Sequence, residues 1–150
     1  MSTANFEDPV TLHSSDDVDT TVELKILKLS ETLKNLLEDA EPDANGVMNI
    51  PLPNVDNVTI KKLVEYLDYH DQNPTEHTEY EGKGLDDIGE WDLKYTEDMD
   101  NGILFKVILA SNYLDIKPLL HLTCKTVAKK IKGKKPSEIK EILKIEVEDE

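Results

Sequence analysis

Thirty-two carboxylates, four histidines and one cysteine are the side chains of this 150-residue chain that could ligate a metal or move a proton. Their spacing supports neither task. His13, His70, His77 and His121 stand at no ligand spacing to one another or to Cys124, so no zinc-type cluster is expected. Cys124 falls on an apolar helix face flanked by lysines. That setting suits a free cysteine acting as a small hydrophobe, whereas a nucleophile would need a partner histidine and a polar cleft. The carboxylate pairs Asp86-Asp87 and Glu97-Asp98 lie among polar neighbours. A general acid needs an apolar surround to raise its pKa. Gly46, Gly82 and Gly84 form no phosphate-cradling loop. The reading is therefore non-enzymatic: no catalytic, metal or cofactor-binding residues, and no cofactor.

Charge narrows the partners. The net charge is −15, and all seventeen cations are lysine. Residues 1–50 hold eleven acids and three lysines, and residues 68–100 hold twelve acids and two lysines. Residues 101–150 reverse the sign, with ten lysines against seven acids. A chain without arginine and with this excess of acid is not built to bind nucleic acid, and an anionic membrane would repel most of it. One cysteine allows no internal disulfide, which fits a reducing compartment, cytoplasm and nucleus. The polar, acidic start is no secretory signal.

The elements that must position any site can be read from periodicity. Residues 1–9 read as a disordered leader. Val10–His13 and Thr20–Leu24 alternate as two strands of a hairpin about a Ser14–Asp17 turn. Helical spacing starts at Leu24, and Ser30 can cap a helix running through Leu37. Val47–Pro53 is extended, and Pro51 and Pro53 restrict it to a sheet edge. A helix over Asn54–His70 carries the stripe Ile60, Leu63, Val64 and Leu67, capped by Asn54 or Asp56. An acidic, aperiodic loop is expected over 71–90, then a short helix Asp92–Asp98 beside Trp91.

Two helices follow. Ile103–Leu114 is apolar on every face, which predicts a central buried helix. Pro118 opens the next, a proline being tolerated in a first turn, and Gly133 ends it. Along this second helix Leu120, Cys124, Val127 and Ile131 recur at i, i+4, i+7 and i+11. The stripe lies late in the chain, so either ordinary core packing or an uncovered partner face fits it. Seven lysines lie between Lys125 and Lys140. They read first as a solvated face, and otherwise as a dock for an acidic partner or for the chain's own acidic loop. Pro136 starts a last helix with Ile139, Ile142, Leu143 and Ile145, and an acidic tail covers 146–150.

Several blocks of residues, in one order, carry a family resemblance. They include Leu-His-Ser-Ser-Asp (12–16), Ile-Pro-Leu-Pro-Asn-Val (50–55), Lys-Lys-Leu-Val-Glu-Tyr (61–66), Ala-Ser-Asn-Tyr-Leu-Asp-Ile-Lys (110–117), Thr-Cys-Lys-Thr-Val-Ala (123–128) and Ile-Lys-Gly-Lys (131–134). From Val10 to about Ile145 the chain resembles the Skp1 family, adaptors that join a cullin to F-box proteins in SCF-type ubiquitin ligases. The resemblance implies an α+β chain: a BTB/POZ fold, a small three-stranded sheet with helices, over 10–117. C-terminal helices for F-box binding would follow over 118–145. It implies a cullin N-terminal domain as partner at Asn112 and Tyr113. It implies F-box contact through Phe105, Leu120, Cys124, Val127, Ile131, Pro136, Ile139, Leu143 and Ile145.

The chain departs from the family pattern in three places. Family members usually continue into a further helix with a Trp-Cys segment that clamps the F-box, whereas this sequence stops at Glu150 without that tryptophan. The last shared helix opens on Lys135-Pro136-Ser137-Glu138-Ile139 instead of Thr-Pro-Glu-Glu-Ile, which forfeits a cap acceptor worth about 1 kcal/mol. Thr20-Thr21 replaces the usual second-strand aromatic. These departures leave two alternatives to an adaptor: a cullin-binding competitor that holds F-box proteins poorly, and a non-ligase structural subunit holding an F-box protein. In some protist members the matching proline is hydroxylated and glycosylated, so Pro136 is a candidate for modification.

Overall fold

The computed structural model describes residues 8–74 and 88–137. Strands β1 (Pro9–His13) and β2 (Asp19–Glu23) pair antiparallel, with Val10 opposite Val22. The expected turn joins them. Ser14 Oγ accepts the Val18 amide at 2.9 Å and donates to Asp16, and Asp17 sits at φ 60°, a left-handed conformation that aspartate tolerates better than most residues. A 3₁₀ turn (Leu24–Leu29) and helix α1 (Glu31–Asp39) lead to β3 (Met48–Pro51). The chain returns parallel to β1, giving the order β2-β1-β3. The proline-bearing strand is therefore an edge, as expected. Pro9 belongs to β1 and not to the leader, because it pairs with Glu23; residues 1–7 lie outside the described residues.

Val10, Leu12, Val22 and Ile50 point from the sheet into one core, onto which the helices pack. Helix α2 (Asn57–Gln72) is capped by Asp56, whose carboxylate accepts the Thr59 amide at 2.9 Å. It buries Ile60, Leu63, Tyr66 and Leu67. Val64 of the expected stripe is only half-buried, and Tyr66 takes its place. Because α2 runs through Gln72, the acidic segment begins later than residue 71; residues 75–87 lie outside the described residues. Helix α3 (Glu90–Glu97) starts two residues earlier than expected. Trp91 stacks between Tyr69, at 4.0 Å between centroids, and Tyr95, at 5.1 Å. Tyr95 donates its hydroxyl to the Lys62 carbonyl at 2.5 Å, and burial pushes its pKa well up.

Helix α4 (Asn101–Tyr113) and helix α5 (Lys117–Ile131) complete the fold. The apolar composition of α4 predicts burial all round, but the structure gives it an open side. Leu104, Phe105, Val107 and Ala110 are buried, whereas Leu109 is 60% exposed and Tyr113 44%. Its apolar excess lines a surface, because α2 and α5 cover only part of its circumference. Gly133, at φ 73°, follows α5 as expected. Pro136 and Ser137 are helical and exposed.

Candidate functional site

The last turn of α4 is held from several sides. Asp100 caps the helix start, accepting the Ile103 amide at 2.8 Å. At the other end Asp115 takes a left-handed φ of 52°, its amide donates to Asn112 at 3.2 Å, and the Ile116 amide donates to the Ser111 carbonyl at 2.8 Å. This is the Schellman arrangement, in which a left-handed residue lets two amides satisfy the last carbonyls. The start of α1 supplies further donors. Glu31 and Thr32 amides reach the carbonyls of Asp115 and Leu114 at 3.2 and 3.3 Å. Fully buried Ser30 serves two helices: its Oγ accepts the Leu33 amide at 3.1 Å and donates to the Leu114 carbonyl at 2.5 Å.

A cleft of about 330 Å³ opens beside this turn, lined by Val55, Asp56, Thr59, Lys106, Leu109 and Tyr113 among others. Lys106 Nζ lies 3.0 Å from Asp56 Oδ2 and so ties α4 to the cap of α2. Burial pushes the Asp56 carboxyl up, but the Thr59 hydrogen bonds and the lysine outweigh it and hold the pKa below the ordinary value. Tyr113 lines this cleft and is exposed, and Asn112, its neighbour in the chain, is exposed as well. A tyrosine with an exposed ring, next to an exposed leucine and a charged pair, is the composition of a protein contact: large apolar area with a polar tip.

The second surface is the outer side of α5. The helix buries Leu119, Leu122, Thr123 and Thr126. The two threonine hydroxyls donate to the carbonyls four residues back, Leu119 at 2.8 Å and Leu122 at 2.9 Å, which lets them lie buried without a distant partner. The expected stripe occupies a different side. Leu120, Val127 and Ile131 are half-buried, and Cys124 is exposed. Burial pushes the Cys124 thiol up, away from the thiolate that a nucleophile requires. Pro136 is exposed, and Ile139, Leu143 and Ile145 lie outside the described residues. Phe105 departs from the expectation of a partner-facing residue: it is 8% exposed and presents little surface of its own.

Three features were not read from the sequence. Leu109 is the most exposed large apolar residue described. His70 Nε2 lies 2.8 Å from Asp92 Oδ1 with both side chains buried, while Nδ1 has no partner among the described residues. His13 hydrogen-bonds Asp19 and Asn49 across the sheet. Each depends on residues distant in sequence, so no local spacing announces it. Among the described residues no group of His, Cys, Asp or Glu could hold a metal ion, and no helix is long and apolar enough to cross a membrane.

Residues 8–72 match the profile described as "Skp1 family, tetramerisation domain", and residues 117–150 match "Skp1 family, dimerisation domain". Similar proteins include the "E3 ubiquitin ligase complex SCF subunit sconC" of Talaromyces marneffei, 44% identical over 139 residues, 91% of this chain and 84% of that protein. The protein of the same name from Aspergillus clavatus is also 44% identical, with 91% and 85% covered. The "SCF ubiquitin ligase complex protein SKP1b" of Dictyostelium discoideum is 45% identical, with 91% and 83% covered.

Proposed function

The chain belongs to the Skp1 family, and we propose that it is the adaptor subunit of an SCF-type ubiquitin ligase, bridging a cullin to F-box substrate receptors. The observation that carries the reading is the presence of two separate surfaces on consecutive helices: the buttressed end of α4 and the half-covered stripe of α5. A bridge needs two sites that can be filled at once. The cullin would dock at Asn112 and Tyr113, with Leu109 and the Lys106–Asp56 pair extending the contact. The F-box would dock along Leu120, Cys124, Val127 and Ile131. Catalysis would belong to other subunits of the assembly.

The test is binding of the purified chain to a cullin N-terminal domain and, separately, to an F-box protein. An adaptor binds both, and both together. Tyr113→Ala is expected to weaken the cullin complex by about 2 kcal/mol, close to thirtyfold in Kd. It should leave F-box affinity unchanged. Binding to the cullin alone would favour the competitor, binding to the F-box alone the structural subunit, and binding to neither would end all three readings.

A further inference from the structure

The outer side of α5 carries a second row beside the apolar stripe. Leu120, Cys124, Val127 and Ile131 lie at i, i+4, i+7 and i+11. Lys117, His121, Lys125, Lys129 and Lys132 lie at i, i+4, i+8, i+12 and i+15. The apolar series keeps to one side of α5, whereas the basic series begins about 60° from it at Lys117 and drifts further round the helix, to about 160° at Lys129; Lys132 follows the last helical residue, Ile131. Lys117, His121, Lys129 and Lys132 are exposed. The row borders the stripe on its open flank only. On the other flank come buried Thr123 and half-buried Lys130, whose Nζ donates to Asn101 Oδ1 at 3.0 Å.

The charge of this row is out of keeping with the chain. From Ile116 to Ser137 there are seven lysines and no acid, within a protein of net charge −15. None of the ion pairs among the described residues uses Lys117, Lys129 or Lys132. Lys117 also sits in the first turn of α5, where positive charge opposes the helix dipole. A cation placed against the dipole with no ion-pair partner there gains nothing for the helix itself. It is positioned to meet charge arriving with a partner.

We propose that the F-box segments this chain selects carry acidic residues along one side of their apolar anchors, matching the one-sided basic row of α5. The proposal rests on the reading of α5 as the F-box seat and adds the rule by which partners are sorted. The apolar ridge supplies area common to any F-box, while the lysine row raises the encounter rate and the affinity of those with the complementary edge and disfavours those with basic residues there.

The test uses the full chain and two synthetic F-box helices with identical apolar anchors, one with glutamates and one with glutamines along the flanking edge. At low salt the acidic helix is expected to bind about tenfold tighter, the sum of a few exposed pairs, and the gap should shrink as salt is added. In the double variant Lys129→Glu, Lys132→Glu the preference should vanish or reverse while affinity for the neutral helix is retained. Equal affinities in the native chain, or a preference that survives the double variant, would overturn the proposal. So would self-association abolished by the same variant, which would give the row to a second copy. Failure of both helices to bind would instead remove the F-box seat itself.

Discussion

The end of α4 and the outer side of α5 are neighbours in the chain but are built on opposite plans. At the end of α4 the backbone is held by bonds the protein makes with itself: the Asp115 turn, the amides of Glu31 and Thr32, and the Ser30 hydroxyl. Asn112 and Tyr113 project from a frame that is fixed before any partner arrives. Along α5 the stripe from Leu120 to Ile131 is left half-covered among the described residues, and Lys117, Lys129 and Lys132 beside it take part in none of the ion pairs found there. A preorganised site loses little ordering entropy on binding, so a small exposed area suffices. A half-covered helix face draws its energy from area still to be buried, so it tolerates varied partners that share the anchors. The first plan suits one constant partner and the second suits a set of exchangeable ones.

The sharpest way to break that contrast is to compare adjacent leucines on α5. Leu119 is fully buried and Leu120 half-buried. Leu119→Ala should cost about 3 kcal/mol of folding stability through lost burial and a cavity. Leu120→Ala should cost less than about 1 kcal/mol of folding, because it keeps part of its solvent contact when folded. It should nevertheless weaken F-box binding by about 1–2 kcal/mol. Urea unfolding and F-box titration of the two variants test this directly. If both variants lost stability equally, the stripe would be core, and α5 would not be an open face.

Ser30→Ala probes the other plan. It removes an N-cap, worth about 1 kcal/mol, and a donor to a buried carbonyl, worth about another 1 kcal/mol because Thr32 still reaches the same oxygen. The expected loss is about 2 kcal/mol of unfolding free energy. Because Ser30 supports the turn that presents Tyr113, cullin binding should weaken as well, though Ser30 itself is fully buried. F-box affinity should be unaffected. A variant that lost stability but kept full cullin affinity would show that the turn needs no buttress.

Ser30 as a cap, Asp56 as one of two candidate caps, the edge position of the proline-bearing strand and Gly133 after α5 were legible in the sequence, because each is a local rule about backbone donors or φ. The partial cover that the α5 stripe has among the described residues matches one of the two alternatives its spacing and late position left open. The open side of α4 was not. A helix apolar on every face carries no mark of which face its neighbours will leave bare, and Leu109 and Val107 look alike until α2 and α5 are in place. Nor could the sequence place Phe105, which shares the apolar character of the α5 stripe and is buried. Asp115 likewise gives no warning of a positive φ, a position where glycine would have been the clear signal. The buttress of Ser30 on Leu114 spans 84 residues, so it has no local trace.

The smallest expected effect comes from the sheet, on the preorganised side of the contrast. His13 Nδ1 lies 2.6 Å from Asp19 Oδ1, and Nε2 lies 2.9 Å from Asn49 Oδ1. Asn49 is oriented by its amide nitrogen, which donates to Asp43 Oδ2 and to the Val47 carbonyl, so its oxygen faces the histidine. Both ring nitrogens of His13 must then donate, which requires the imidazolium. The bonds to Asn49 and then to Asp19 hold its pKa above the ordinary value of 6.5, against a weaker opposing push from burial. A folded-state pKa raised above the unfolded one stabilises fully below about pH 6.5. That stabilisation is lost as pH rises through the folded pKa. The lowered carboxyls of Asp16, Asp43 and Asp56 act in a separate window, since their contribution fades only as pH falls below the usual carboxylate range. His13 is partly exposed, so its effect on stability should be small and screened by salt. It should also be local. Raising the pH through the His13 transition should lower the amide protection factors of β3, corrected for intrinsic base-catalysed exchange, because Asn49 loses a charged donor. The protection factors of α5 should be unchanged, and His13→Gln should abolish the pH dependence of protection in β3. Equal loosening of β3 and α5 would mean that the sheet and the outer helix share one stability, and that the two plans are not separate.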